Sequence, residues 1–231
     1  MIPLSPRLLT CAAMIRGRTV CDIGTDHAYL PVWLIVNERA DRVIATDVRE
    51  GPLHAAQETL KRFRVTERIT LCLSDGFDRV SPHEGITDAV IAGMGGETIR
   101  DILSAASAAF LREGVNLVLQ PMTKTEVLRV WLAENGFAVT KETAVKDIRV
   151  YTVMQAHYTG GRHSLSAAES CIGRLQHSDP LTSEYLTGVQ ERLRKKADGL
   201  AASGSGEDAA EIRKTISEIA RFLITGNYKE E

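Results

Sequence analysis

The sequence predicts an α/β fold: a doubly wound, mostly parallel sheet that ends in an antiparallel hairpin and is followed by a helical tail. Three observations predict it. Strand-length apolar runs alternate with helix-period patterns up to about residue 159. Two strand-like runs within residues 137–154 lie too close together for a parallel crossover and must pair antiparallel. After that, β-branched runs disappear and helical spacing takes over.

Residues 5–16 read as a short capping helix with Ser5 as N-cap and Pro6 behind it. Thr19-Val20-Cys21-Asp22-Ile23 is the first buried strand, and a polar turn leads from it into a helix from about Ala28. Further strands follow at 42–47, 69–73, 89–92 and 117–120, apolar throughout as a sheet covered on both faces requires. Between them, 51–63 carries Leu53, Ala56, Leu60 and Phe63 on one helical face. The stretch 97–112 turns Ile99, Ile102, Leu103 and Ala106 inward. The stretch 123–135 shows a stripe of Val127, Leu128, Trp131 and Leu132 and is stopped by Gly136. Runs 137–142 and 149–154 form the hairpin.

Gly160-Gly161 breaks the pattern. Residues 166–176, then 183–202 after Asp179-Pro180, read as helices. A turn at Ser203-Gly204-Ser205-Gly206 leads to a last helix over 207–223. There Ile212, Ile216, Ile219 and Leu223 recur at nearly seven-residue spacing, which predicts a helical hairpin packed as an antiparallel coiled coil. The expected division is an α/β unit over 1–159 and a helical unit over 160–231.

Bulk properties exclude several function classes. Hydrophobic content of 44% and charged content of 25% suit a soluble globular chain of 231 residues. No run approaches the roughly 20 apolar residues of a membrane span, and the first residues lack a signal peptide's order, so a cytoplasmic location is expected. Cys11, Cys21, Cys72 and Cys171 are scattered, with no CxxC and no metal-ligand spacing, so no metal is expected. A net charge of -2 excludes a uniformly basic coat for nucleic acid.

The chemistry concentrates at strand ends. Asp22-Ile23-Gly24-Thr25-Asp26-His27-Ala28-Tyr29 closes the first strand and opens a helix, presenting backbone N–H groups above the sheet. A dinucleotide site needs Gly-x-Gly-x-x-Gly for its pyrophosphate; here the later glycine positions hold Asp26 and Tyr29, and Asp26 would repel phosphate. S-adenosylmethionine carries an ammonium and a sulfonium and no phosphate, so Asp22 and Asp26 suit it. Asp47, 23 residues after Gly24, stands where an acid binds ribose hydroxyls. Asp75-Gly76 places a third acid at the same edge, suited to an adenine amino group. A parallel sheet with a terminal antiparallel hairpin and these acids describes a Rossmann-like class I methyltransferase.

Ile91-Ala92-Gly93-Met94-Gly95-Gly96 lets a ligand or substrate approach the main chain closely. It lacks an Asn-Pro-Pro-Tyr motif, which leans away from methylation of an exocyclic amine. Gln120 could meet a base edge, or be a solvated residue at a strand end. His27 and Tyr29 could orient the cofactor, stack on a base or simply pack. Arg192, Arg194, Lys195 and Lys196 cluster on one tail helix, with Arg213 and Lys214 on its partner. Residues 161–231 hold 10 Lys and Arg against 11 Asp and Glu, so the tail is locally but not net basic. The cluster is either a phosphate grip or a solvated face.

Taken in order, Asp22-Ile-Gly-Thr-Asp-His-Ala-Tyr-Leu-Pro31, Gly51-Pro52, Ser74-Asp75-Gly76, Ile91-Ala-Gly-Met-Gly-Gly96, Gln120-Pro121, Leu128-Arg129-x-Trp131-Leu132 and Asn135-Gly136 resemble the bacterial TrmK family. These are tRNA (adenine-N1)-methyltransferases acting on adenine 22 of the D arm. The resemblance spans about residues 4–158 and continues more loosely through Asp179-Pro180 and Tyr185. It implies S-adenosylmethionine as cofactor, tRNA as substrate and a coiled-coil domain at the C-terminus. By position, Asp22, Gly24, Asp26 and His27 would line the methionine end, Asp47 the ribose, and Asp75 with Gly76 the adenine; Gly93 completes the cofactor set. Tyr29, Met94 and Gln120, with the tail cations, are the candidate substrate contacts. Two departures stand out: Thr46-Asp47-Val48 where the family pattern has Gly-Glu-Val, and Met122 where many relatives have Asn.

The expected reaction is attack of adenine N1 on the cofactor methyl without a protein nucleophile, Asp26 stabilising the cationic product. The rivals are a small-molecule methyltransferase with a dimerising tail and a non-catalytic RNA-binding scaffold; a nicotinamide dehydrogenase ranks last. Oligomeric state stays open, with a monomer favoured.

Overall fold

The computed structural model describes residues 2–106 and 114–228. Helix α1 (Pro6–Met14) precedes β1 (Thr19–Ile23), α2 (Tyr29–Val36), β2 (Arg42–Asp47), α3 (Glu50–Phe63) and β3 (Ile69–Leu73). Then come β4 (Asp88–Gly95), α4 (Gly96–Ala105), β5 (Asn116–Thr123), α5 (Thr125–Glu134), β6 (Phe137–Lys146) and β7 (Val150–Tyr158). The tail is α6 (Ala167–Ile172), α7 (Pro180–Ala202) and α8 (Gly206–Thr225). The expected continuation of α4 over 107–112 lies outside the described residues.

Seven strands form one sheet in the order β3-β2-β1-β4-β5-β7-β6. The first five run parallel, and β7 pairs antiparallel with both β5 and β6. The expected hairpin is therefore present, with both strands longer than predicted. The later strand, β7, lies next to β5 and leaves β6 at the edge.

Strand alternation divides the core between the two faces. Val20, Val90, Val118 and Val153 pack with α1, α2 and α3. Cys21, Ile91, Leu119 and Met154 pack with α4 and α5, whose Ile99, Leu103, Leu128 and Leu132 are buried as predicted.

A third cluster joins the tail to the hairpin, where Ala144 and Val150 meet Ala168, Ile172, Leu186, Ile219 and Phe222. Helices α7 and α8 pack together as a hairpin through the turn 203–205, and Gln190 Nε2 donates to the carbonyl of Ile216 at 3.0 Å. The inward face of α8 is Ala209, Thr215, Ile219 and Phe222; Ile212 and Ile216 of the predicted stripe are only half-buried. The face is rotated because α8 also packs against α6.

Two tail boundaries shift for local reasons. Helix α7 starts at Pro180 rather than 183, because the Asp179 carboxylate accepts the Leu181 amide at 2.9 Å and caps it. Helix α6 stops at Ile172 rather than about 176. There Gly173 takes φ +64°, and a Cβ on it would meet Glu142 Oε2 at 2.2 Å and Arg129 Nε at 2.5 Å. The Arg129 and Glu142 side chains are 2% and 0% exposed and form a buried ion pair at 2.6 Å. Arg129 Nη1 also donates to the carbonyls of Ser170 and Cys171 at 2.6 and 2.8 Å. Glu142 Oε2 accepts the Arg174 amide at 2.9 Å. This network fastens the tail to the sheet.

Candidate active site

The C-terminal edge of the parallel strands opens on a cavity of about 770 Å³. Asp22, Gly24, Thr25, Asp26, His27 and Tyr29 line it from the first strand and its loop. Asp47 and Val48 follow from β2, Asp75 and Gly76 from beyond β3, and Gly93 and Met94 from β4. All eight predicted cofactor residues and two of the three predicted base contacts, Tyr29 and Met94, therefore border one space.

The β1–α2 loop is held in an unusual shape. Gly24, Asp26 and Ala28 all have positive φ, at +74°, +52° and +56°. Each left-handed non-glycine residue costs on the order of 1 kcal/mol, and the surroundings hold them there. The amides of Gly24 and Thr25 donate to the carbonyl of Thr46 at 2.9 and 2.8 Å, and that of Asp26 to Asp47 Oδ2 at 3.3 Å. Gly24 is needed twice over: beyond its φ, a Cβ there would lie 2.1 Å from Met94 Cε. The Met94 thioether thus closes over the loop from β4.

The three strand-end acids differ in environment. Asp22 is 5% exposed and has no basic side chain within ion-pair distance among the described residues. Burial pushes its carboxyl up to about 6, and the neighbouring Asp47 charge adds to the rise. Asp47 is also buried; its Oδ1 accepts the Arg49 amide at 3.0 Å while Oδ2 accepts that of Asp26, which leaves lone pairs for hydroxyl donors. Asp75 is exposed at the rim. Asp26 has a side chain 65% exposed, 3.6 Å from His27 Nε2. His27 in turn stacks on Tyr29, centroids 5.4 Å apart at 16°, and both rings are open to solvent at the mouth.

Gln120 is absent from the cavity wall. It is fully buried, and its Oε1 accepts from Arg7 Nη1 and from the Gly93 amide, both at 3.1 Å. Its Nε2 donates to the Pro121 carbonyl at 3.1 Å. The amide is spent on holding the Gly93 loop, so Gln120 supports that loop from behind the cavity wall. Arg192, Arg194, Lys195 and Lys196 are exposed on α7, away from the cavity wall.

Sequence reasoning missed the α1 wall. Ser5, Arg7 and Leu8 line the cavity, and Arg7 Nε pairs with Asp147 at 3.4 Å. Ser5 Oγ is buried, makes no cap bond and has no hydrogen-bond partner among the described residues. Arg7 bonds across 113 residues to Gln120, a separation that leaves no periodic trace in the sequence. Among the described residues no group of three or more His, Cys, Asp or Glu could hold a metal, and no helix is long and apolar enough to cross a membrane.

A family model described as "Methyltransferase domain" matches residues 4–154. The tRNA (adenine(22)-N(1))-methyltransferase of Bacillus subtilis is 34% identical over 158 residues, 67% of this chain and 65% of that protein. The chain spans about 65% of the length of the first curated relatives it matches. The structure of M. capricolum TrmK in complex with S-adenosyl-homocysteine superposes with TM-score 0.76 at 26% identity, covering 93% of this chain and 98% of that one. The B. subtilis M1A22 tRNA methyltransferase TrmK, at 24% identity, shares the fold with TM-score 0.83 over 95% and 99% of the two chains.

Proposed function

This chain belongs to the methyltransferase-domain family and, within it, to the TrmK group, and from that premise we propose that it methylates N1 of an adenine in tRNA, at position 22 of the D arm, using S-adenosylmethionine. The observation that carries the reading is the convergence of Asp22, Asp47 and Asp75 on one cavity, with Asp22 buried and facing no cation among the described residues. A buried carboxylate without a counterion is costly in the empty protein and becomes favourable when a cationic ligand arrives. The cofactor's ammonium is such a partner. The lone pairs of Asp47 suit ribose hydroxyls, and Asp75 with Gly76 suits the adenine edge.

When bound, S-adenosylmethionine supplies an electrophilic methyl on a sulfonium. The rest of the work falls to the chain. The Gly93-Met94 segment, pinned by Gln120, borders the space where the acceptor base must lie against the methyl. Adenine N1 already has an in-plane lone pair, so no general base is needed; placement and exclusion of water suffice. Methylation makes the ring cationic, and the Asp26 carboxylate at the mouth stabilises that charge. Its exposure to solvent screens the effect and keeps its contribution below that of a buried group.

Residues 1–159 form the catalytic unit, and residues 160–231 position the tRNA through the α7 cations. The protein works in the cytoplasm, where its substrate is. The test is methyl transfer from labelled cofactor to tRNA, followed by nuclease digestion and mass spectrometry of the nucleosides. N1-methyladenosine is expected. Label that survives ribonuclease in a small molecule would favour the small-molecule alternative; no transfer at all would favour the scaffold.

A further inference from the structure

We propose that the β6–β7 tip is a wedge that enters the base stack of the RNA beside the target adenine, with Ile148 as the inserted side chain and Arg149 as its phosphate contact; this rests on the tRNA reading above. The methyl-accepting N1 lies on the Watson–Crick edge, so a stacked or paired adenine must leave its neighbours before it can enter the cavity. Proteins that open stacked nucleic acid insert an apolar side chain at the step they separate. The acid-rimmed cavity itself offers Asp26, Asp47 and Asp75, which repel phosphates, so the lever must stand beside it.

Topology puts the tip there. Strand β7 runs antiparallel to β5, so its first residue and the last residue of β6 stand at the same sheet edge as the ends of β1, β2 and β4. The tip is Asp147-Ile148-Arg149, closed by the Asp147 amide donating to the Arg149 carbonyl at 2.9 Å. Two anchors hold it. Asp147 pairs with Arg7, itself a cavity wall residue, and Lys146 just before it pairs with Glu184 of α7. One anchor is tied to the site and the other to the helix that carries the cationic cluster.

Ile148 on this pinned turn is 89% exposed, more than any other large exposed apolar side chain among the described residues. Next to it, the exposed Arg149 has no ion-pair partner among the described residues and is free to meet a phosphate. An exposed aliphatic side chain on an anchored turn, beside a cation with no ion-pair partner among the described residues and linked through Asp147 to the cavity wall, suits insertion between bases.

The experiment compares wild type and Ile148→Ser on two RNAs: a folded tRNA transcript, and a short unstructured oligoribonucleotide carrying the same adenine. Cofactor affinity is measured in parallel by calorimetry. The wedge predicts that kcat/KM on folded tRNA falls about tenfold or more, while the oligoribonucleotide rate and cofactor affinity stay unchanged. Replacing the target adenine by 2-aminopurine gives a second readout that needs no turnover: its fluorescence should rise on binding wild type and much less with Ile148→Ser. Equal rates and equal fluorescence for the two proteins on folded tRNA would overturn the wedge alone. An equal loss on both RNAs would overturn it too, since it would show a role unrelated to opening. A wild type that methylates neither RNA would instead remove the tRNA reading, and the wedge with it.

Discussion

At the sheet edge the Asp22 carboxylate is buried with no cation beside it among the described residues; on α7, Arg192, Arg194, Lys195 and Lys196 stand together in solvent. Each set waits for a partner of opposite charge, but in different media. Water cannot screen the first, so one group carries a large share of ligand affinity and makes the empty protein less stable. The second is screened by salt, so each cation contributes little and only the cluster matters. A small cationic cofactor calls for the first arrangement, and a long polyanion that must be gripped and released calls for the second.

The join between these regions is where a single change should cost most. Arg129→Leu would leave Glu142 buried without its partner and the Ser170 and Cys171 carbonyls without donors. A destabilisation of about 3–5 kcal/mol is expected. Thermal denaturation should show it as a midpoint lower by on the order of 10 °C; a midpoint within a degree or two of wild type would show that the seam is not structural.

At the sheet edge, Asp22→Asn should weaken cofactor binding about a hundredfold, the value of a buried charge-assisted contact of roughly 3 kcal/mol. Calorimetry checks it. The same carboxyl sets a pH dependence whose sign can be worked out. Its pKa rises on folding from the ordinary 3.8 to about 6, so between those values the folded state holds the extra proton. Stability of the cofactor-free protein should therefore fall as pH rises from about 4 to about 6, by up to about 3 kcal/mol, and level off above. Cofactor affinity should climb over the approach to pH 6 as the carboxylate ionises. Asp22→Asn should abolish both slopes, which denaturation and binding curves across pH would reveal.

Smaller effects belong to the exposed groups. Asp26→Asn should lower kcat about tenfold with cofactor affinity nearly kept, because its charge acts on the product through solvent. Neutralising Arg192, Arg194, Lys195 and Lys196 together should leave kcat intact and weaken tRNA binding. The slope of log affinity against log salt should flatten by up to about 0.9 for each phosphate the variant no longer neutralises. An unchanged slope would make the cluster a solvated face.

How far the sequence foretells these regions follows from where their interactions lie along the chain. The parallel strands, the antiparallel hairpin and the acids at strand ends are local patterns of period and position, and they are readable. The β1 loop is readable too, since Asp26 and Tyr29 stand where a phosphate site needs glycine. Arg7 and the Arg129–Glu142 pair are not, because no sequence period links either residue to its partner, and Ser5 is not, because only the fold brings it to the cavity wall. Gln120 is legible in place but not in role: strand position brings it to the sheet edge, whereas burial decides that its amide serves Gly93. In the tail, heptad spacing predicts the right helices, and packing against α6 turns the buried face away from Ile212 and Ile216.

The central claim, transfer to adenine N1, is tested most directly by primer extension on tRNA incubated with the protein and S-adenosylmethionine. N1-methylation blocks Watson–Crick pairing, so reverse transcription should stop at adenine 22 and read through without the cofactor. Full-length extension from tRNA that has demonstrably taken up label would contradict it, because the methyl would then lie off the pairing edge.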